Sequence, residues 1–374
     1  MHNLIKKILQ REQHRQDTNI ELIASENYTS EAIMRLCGSI FTNKYAEGYP
    51  SKRYYNGCEH MDEIESLAIQ EVTKLFGCNY ANVQPHCGAN ANTAVYQAFL
   101  KRGDKIFGMD LSSGGHLSHG SDFNISGKFY DARSYGVNED GLLDYDQIRS
   151  AAKKVRPRMI VAGASAYPRV ICWKTFKEIA DEVGALLLAD MAHYSGLIAG
   201  RVYPSPIPHA DVVTSTTHKT LRGPRGGIIL WNNKDFTKKI NSAIFPGTQG
   251  GPLMNIIAAK AQCFIEANSA EFCEYAAKVL HNSREFADQL IKNHFKLVTG
   301  GTDSHMVLVE LENMSGRQAA DLLEKHNITV NKNGVPNDPR GFVETSGIRM
   351  GTAAETTKGR DDFRSLADKI AKII

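Results

Sequence analysis

The stretch Ala185-Leu-Leu-Leu-Ala-Asp-Met-Ala-His193 decides the fold: an apolar run long enough for one buried strand empties into an aspartate and a histidine. The same pattern returns at Asp211-Val-Val-Thr-Ser-Thr-Thr-His-Lys219, where the run ends in hydroxyls, an imidazole and an amine. Around these two, short apolar segments alternate with stretches of helical period. Tyr80 to Val83 precedes a helix near Asn90 to Leu100, Lys105 to Met109 follows the turn Gly103-Asp104, Met159 to Gly163 precedes a helix near Trp173 to Val183, and Gly226 to Leu230 closes the series. Upstream, Ile64, Leu67, Ala68, Val72 and Leu75 recur at helical spacing before a stop at Gly77. Strands that alternate with helices need crossovers, and these are right-handed. The expected core is therefore an α/β/α domain, a mostly parallel sheet with helices on both faces.

Beyond about Pro252 the texture changes. A long helical stretch from Leu253 to about Asn293 leads to apolar runs at Phe295 to Val298 and Met306 to Leu311, then to helices near Arg317 to Lys325 and Arg360 to Ile373. That predicts a smaller C-terminal α+β domain. The chain divides into an N-terminal arm (1–40), a large domain (41–268) and a small domain (269–374), with no repeat or Gly/Ser linker between them. Its 374 residues fit this division, since one core typically serves ~150 residues.

Composition narrows the function classes. With 42% hydrophobic and 23% charged residues the chain matches a globular protein, not a disordered, collagenous or coiled-coil one. A net charge of +3 gives no field that would favour nucleic acid or an anionic membrane, and the basic run Lys153, Lys154, Arg156, Arg158 is too short to change that. No apolar stretch approaches the ~18 residues that span a bilayer. Met1 to His14 has no apolar signal core, so nothing marks the chain for secretion. Seven cysteines, with no C-x-x-C pair, argue against a disulfide scaffold or zinc site and for reduced thiols in the cytoplasm. No metal site is expected.

In open α/β sheets, ligands bind outside the carboxyl ends of the strands, so residues just after apolar runs weigh most. Lys219, set among Thr216 and His218 and followed by Arg222-Gly-Pro-Arg-Gly-Gly227, is placed for nucleophilic work. Burial, Arg222 and Arg225 would all disfavour its ammonium form and free an amine able to form a Schiff base. Asp190 could hold a pyridinium nitrogen protonated, as a pyridoxal phosphate electron sink requires; an aspartate after a strand, taken alone, is more often a helix cap. The turn Gln84-Pro-His-Cys-Gly-Ala-Asn90 lets backbone N–H groups approach an anion at a helix N-terminus. Tyr45-Ala-Glu-Gly-Tyr-Pro-Ser-Lys-Arg-Tyr-Tyr55 is dense in groups that handle protons and carboxylates, and Arg349 in Thr345-Ser-Gly-Ile-Arg349 could grip a carboxylate with both arms.

Longer strings carry a resemblance. Glu21-Leu-Ile-Ala-Ser-Glu-Asn27, Thr42-Asn-Lys-Tyr-Ala-Glu-Gly-Tyr-Pro50, Gly114-Gly-His-Leu117, Asp190-Met-Ala-His193, Thr217-His-Lys-Thr-Leu-Arg-Gly-Pro-Arg-Gly-Gly227, Gln249-Gly-Gly-Pro252 and Ile328-Thr-Val-Asn-Lys-Asn333 resemble serine hydroxymethyltransferase in order and across nearly the whole chain. The resemblance implies a fold-type I pyridoxal phosphate transferase that moves the serine hydroxymethyl carbon to tetrahydrofolate, giving glycine and methylenetetrahydrofolate. It implies a homodimer or tetramer with shared active sites. Position by position, it implies that Lys219 holds the cofactor, Asp190 pairs with the ring nitrogen, His116 stacks on the ring, and Ser165 and His193 bond the phenolic oxygen. Cys87, Gly88 and Ala89 would line the phosphate turn, with Tyr45, Gly250 and Gly251 coming from the neighbouring subunit. Arg349 would clamp the amino-acid carboxylate with Ser25 and Tyr55, and Glu47 would manage protons on the serine hydroxyl and the folate. Leu111, Gly115, Tyr54 and Asn333 would contact the pteridine.

The sequence departs from the family at Cys87, where a serine hydroxyl is usual, at Ser113, where histidine is common, and at Ala353, where proline follows Gly-Thr. Weaker cofactor binding is the expected consequence of Cys87, because a thiol is a poor donor. Family chains also run longer at both ends. Two rival readings share the motifs: a folate-independent aldolase or transaldolase for threonine-like β-hydroxy amino acids, and a non-catalytic relative that acts as a binding partner.

Overall fold

The computed structural model describes residues 1–374. Seven strands form the central sheet: β1 (Tyr80–Asn82), β2 (Lys105–Met109), β3 (Asp131–Tyr135), β4 (Met159–Gly163), β5 (Leu186–Asp190), β6 (Val212–Thr216) and β7 (Gly227–Trp231). Their order is β1-β7-β6-β5-β4-β2-β3. β7 runs antiparallel to both its neighbours, and the remaining pairs are parallel. All five residues of β4, β6 and β7 are buried, so β4 and β7 read as apolar runs and not as alternating strands, while β6, Val-Val-Thr-Ser-Thr, buries three hydroxyls. Helices cover both faces. Trp173, Phe176 and Ile179 of the helix Trp173–Val183 are fully buried on one side, and Ala91, Val95 and Tyr96 of the helix Gly88–Phe99 on the other.

Four local differences from the sequence expectation have physical causes. β3 is an edge strand reading Asp-Ala-Arg-Ser-Tyr, polar because it pairs only with β2. The helix Tyr145–Val155 buries just Ile148 and Ala152, too few to show a period; Asp144 caps it by accepting from the Asp146 and Gln147 N–H groups. The helical stretch after Pro252 is two helices, Met254–Ala267 and Ala270–Lys292, broken where the Ser269 hydroxyl caps the second. In the helix Glu59–Phe76 the buried stripe is Met61, Glu65, Ala68, Val72 and Phe76, while Leu67 is exposed. An apolar period could not reveal Glu65, whose carboxylate is buried because Arg53 (2.6 Å) and Gln84 (2.7 Å) satisfy it. The basic run from Lys153 to Arg158 is solvent-facing.

A second sheet comprises β8 (Lys296–Leu297), β9 (Met306–Glu310), β10 (Asn331–Asn333) and β11 (Gly347–Gly351), antiparallel in the order β8-β9-β11-β10, over its own core of Phe286, Leu290, Val309, Ile348 and Phe363. The N-terminal segment belongs to this body: Ile20–Glu21 pairs in parallel with Ile328–Thr329, and Leu22 is fully buried in the second core. The Glu21 N–H donates to the buried Glu355 carboxylate at 3.0 Å, and the Gly351 N–H to the Leu22 carbonyl at 2.7 Å. From this anchor the chain runs on to Ser25 at the junction of the two bodies.

Leu22→Ala removes a side chain with no exposure, and should cost about 2–5 kcal/mol in urea unfolding while weakening hydrogen-exchange protection from Ile23 to Asn27. A loss below about 1 kcal/mol with unchanged protection would mean that this anchor does not hold the segment.

Candidate active site

A cavity of about 750 Å³ opens beyond the carboxyl ends of β5 and β6 and is closed on its far side by the second body. Asp190 ends β5 and Thr216 ends β6; Ala164 and Ser165 follow β4, and Leu111 follows β2. The sheet order places these exits side by side.

Asp190 is buried and made to stay ionised. Its Oδ2 accepts from Asn92 Nδ2 (2.9 Å) and His119 Nε2 (3.0 Å), and its Oδ1 from the Ala192 N–H (3.0 Å). Burial would raise this carboxyl, but His119 and Asn92 together hold it well below the usual carboxylate range. Asn92 is itself fixed, since its Oδ1 accepts from the Thr214 hydroxyl at 2.6 Å. His116 lies beside them. Its Nδ1 accepts from the Ser118 N–H (3.1 Å), and burial brings the ring down to about 4, so it is neutral.

Lys219 lines the same cavity, with its Nζ donating only to Thr216 Oγ1 at 3.3 Å. Burial draws the amine from 10.5 down to about 8; Arg349 and Arg225 push the same way and Asp190 opposes. Arg222, expected among these influences, takes no part. Its backbone adopts φ 61°, and its guanidinium lies 4.6 Å from the Tyr275 ring centre. His218 is brought to about 3 by burial, and its Nδ1 has no partner. His193 is buried and neutral, stacked on His305 with ring centres 5.5 Å apart.

The anion turn is assembled by close backbone approach. Cys87 precedes the helix Gly88–Phe99 without capping it; its thiol instead meets Asn90 Oδ1 at 3.1 Å. A Cβ on Gly88 would come within 2.8 Å of Thr216 Cγ2, and one on Gly227 within 2.4 Å of the Cys87 carbonyl oxygen, so glycine is required at both. Gly115 likewise leaves no room for a side chain against the Met109 carbonyl. Across the cavity Arg349, on β11, is buried with no carboxylate partner: it donates to the Ser165 carbonyl and to Asn331 Oδ1 (3.1 Å). Burial lowers it to about 10, and it still carries its charge at neutral pH. A buried, unpaired guanidinium calls for an anion.

Fifteen of the expected residues line this cavity: Lys219, His218, Thr216, Asp190, His193, His116, Ser165, Cys87, Gly88, Ala89, Arg349, Ser25, Leu111, Gly115 and Asn333. The other six, Tyr45, Glu47, Tyr54, Tyr55, Gly250 and Gly251, do not. They form a separate patch, in which the Tyr55 hydroxyl donates to Glu47 Oε2 (3.3 Å), the Tyr45 and Tyr55 rings meet edge to face, and Gly251 lies against Tyr45. Glu47 is only half-buried there. Sequence reasoning missed Asn92, His119 and His305. The first two lie inside or just after helical segments far along the chain, and only the spacing of β5 against its neighbours brings them to Asp190. Neutral histidines, one ionised carboxylate, free helix N–H groups and a depressed lysine suit a phosphorylated heteroaromatic aldehyde.

A family model described as serine hydroxymethyltransferase matches residues 1–373. A serine hydroxymethyltransferase of Nitratiruptor sp. is 55% identical over 374 residues, 99% of this chain and 90% of that protein. One from Chromohalobacter salexigens is 56% identical over 355 residues, 94% of this chain and 84% of that protein.

Because the folded lysine loses its proton at about 8 and the unfolded one at 10.5, this group's contribution to stability rises with pH through that window. In the cofactor-free protein, acylation of Lys219 should titrate with a midpoint of about 8. Arg349→Leu should move the midpoint upward, because removing a cation favours the ammonium. A midpoint near 10.5, or one that Arg349→Leu leaves in place, would contradict this electrostatic account.

Proposed function

The chain belongs to the serine hydroxymethyltransferase family, and from that premise we propose what each wall of its cavity does. The enzyme transfers the hydroxymethyl carbon of serine to tetrahydrofolate, reversibly, leaving glycine and methylenetetrahydrofolate. One observation carries the assignment of the site: a buried arginine with no carboxylate of its own shares a cavity with a depressed lysine and an ionised, buried aspartate.

Pyridoxal phosphate, when bound, supplies an electron-accepting ring that draws in the electrons of the breaking Cα–Cβ bond. Asp190 keeps a proton on the ring nitrogen. Lys219 offers its amine to the aldehyde, with Thr216 as its hydrogen-bond partner and His218 beside it. His116 provides a neutral face for the ring, and His193 and Ser165 take the side of the phenolic oxygen. The N–H groups at Cys87, Gly88 and Ala89 receive the phosphate. Arg349 and Ser25 grip the amino-acid carboxylate, assisted by Tyr55, while Glu47 holds or moves a proton at the serine hydroxyl. Leu111, Gly115, Asn333 and Tyr54 receive the pteridine.

The protein works as a homodimer or tetramer in which the patch around Tyr45, Glu47, Tyr54, Tyr55 and Gly250-Gly251 completes the cavity of a second copy. Exposure of Tyr45 (56%) and Tyr54 (75%) supports this, as does the absence of the whole patch from its own cavity. That assigns Glu47, Tyr54 and Tyr55 to the same side as Tyr45. No helix is long and apolar enough to cross a membrane, and all seven cysteines are free, in keeping with a cytoplasmic setting. The folate-independent aldolase reading leaves Leu111 and Asn333 without a task, and a non-catalytic relative would have no need of a buried aspartate and a buried arginine that do not pair with each other.

Glycine formation from serine should require tetrahydrofolate; cleavage of serine indifferent to folate would favour the aldolase. Mixing inactive Lys219→Ala with inactive Glu47→Gln and allowing subunits to exchange should restore roughly a quarter of wild-type activity, because half of the dimers are then mixed and each has one intact site. No recovery, with exchange verified, would place Glu47 on its own chain's cavity or outside any site.

A further inference from the structure

Lys260, on the helix Met254–Ala267, is a lysine that the proposed reaction does not use, and it is 1% exposed. Its Nζ donates to the carbonyls of Val83 (2.6 Å), Pro85 (3.0 Å) and Gly227 (2.9 Å). Burial pulls this amine from 10.5 down to about 7, but an ammonium has three donors and these carbonyls use all of them, whereas a neutral amine would leave one of the three facing a lone pair, so the geometry favours the charged form. The carboxylate whose charge reaches it, Glu65, is already committed to Arg53 and Gln84. Room for the Lys260 chain is made by Gly226, where a Cβ would lie 2.4 Å from Lys260 Cε.

The three acceptors frame the anion turn. Val83 and Pro85 lead into Cys87 and Gly88, and Gly227 sits against the Cys87 carbonyl while its N–H donates to the Pro85 carbonyl at 3.0 Å. The ammonium therefore ties the entry of the turn to the start of β7 from behind, leaving the N–H groups of the turn free to face the cavity. In so dry a setting its charge is felt through the turn. We propose that Lys260 is a positioning residue for the phosphate of the cofactor: without touching it, the side chain fixes the turn's shape and adds positive potential behind it. This rests on the reading of residues 85–90 as the phosphate site.

The test compares pyridoxal phosphate with pyridoxal, which has the same aldehyde and ring but no phosphate, by absorbance titration of the cofactor-free protein. Wild type should favour the phosphorylated compound; equal binding of the two would overturn the phosphate-site reading itself, and Lys260's part with it. In Lys260→Met, the dissociation constant for pyridoxal phosphate should rise about tenfold or more, while that for pyridoxal stays within about twofold. If wild type discriminates and Lys260→Met discriminates equally well, or loses both ligands to the same degree, the proposal about Lys260 fails while the phosphate site stands. Should Lys260→Met not fold, Lys260→Gln, which keeps an amide donor, takes its place with the same expectation. If neither folds, the residue serves the core and not the turn, and the proposal falls.

Discussion

Three charges buried around one cavity, none cancelling another, are the constraint on which the rest depends. Asp190 stays ionised because His119, Asn92 and the Ala192 N–H replace its lost water. Lys219 does not sit in a salt bridge with it: its one hydrogen bond goes to a threonine hydroxyl, and its proton is easily lost. Arg349 has only neutral acceptors. Burying charges in this way costs stability unless each is solvated by the protein. A fold tolerates such a cost where a ligand supplies the missing partners, which in the proposed assignment are a ring nitrogen, an aldehyde and a carboxylate.

The two bodies divide this work. The parallel sheet ends β5 at Asp190 and the adjacent β6 at Thr216, just before Lys219, and the pairing of Asp190 with Thr214 fixes the register of the two strands. The second body brings Arg349 on β11 and, through Leu22, the segment bearing Ser25. Arg169 ties the bodies together near the cavity, donating to the Thr299 carbonyl at 2.7 Å and pairing with Asp303 at 3.3 Å. Motion of one body against the other would therefore change the distance from Arg349 to Lys219 and loosen the Arg349 hydrogen bond to the Ser165 carbonyl, while Asp190 keeps a cradle that lies wholly within the first body.

Much of this was legible in the residues. The strand runs at 159–163 and 186–190 could be read because parallel strands are apolar on both faces, the strand at 212–216 showed only in its Val-Val start, and polar residues at and after these strand ends line the cavity. Asp190, Lys219 and Arg349 were visible as chemistry. Asn92 and His119 were not, since nothing local distinguishes a helix asparagine that solvates a carboxylate from one that faces water. Glu65 and Lys260 were hidden for a related reason: each is a charged residue on a helix whose partners come from distant loops, so local pattern reads it as surface. The separation of Tyr45 and Glu47 from the cavity is a fact of three dimensions that motif order does not carry.

The most direct test of the central claim is to reduce the holoenzyme with borohydride and locate the pyridoxyl group by peptide mass analysis. This account predicts a single modified lysine, Lys219, and no modification of Lys260, the other lysine that burial brings to near-neutral values. Label on Lys260 or on a surface lysine, with Lys219 free, would contradict it.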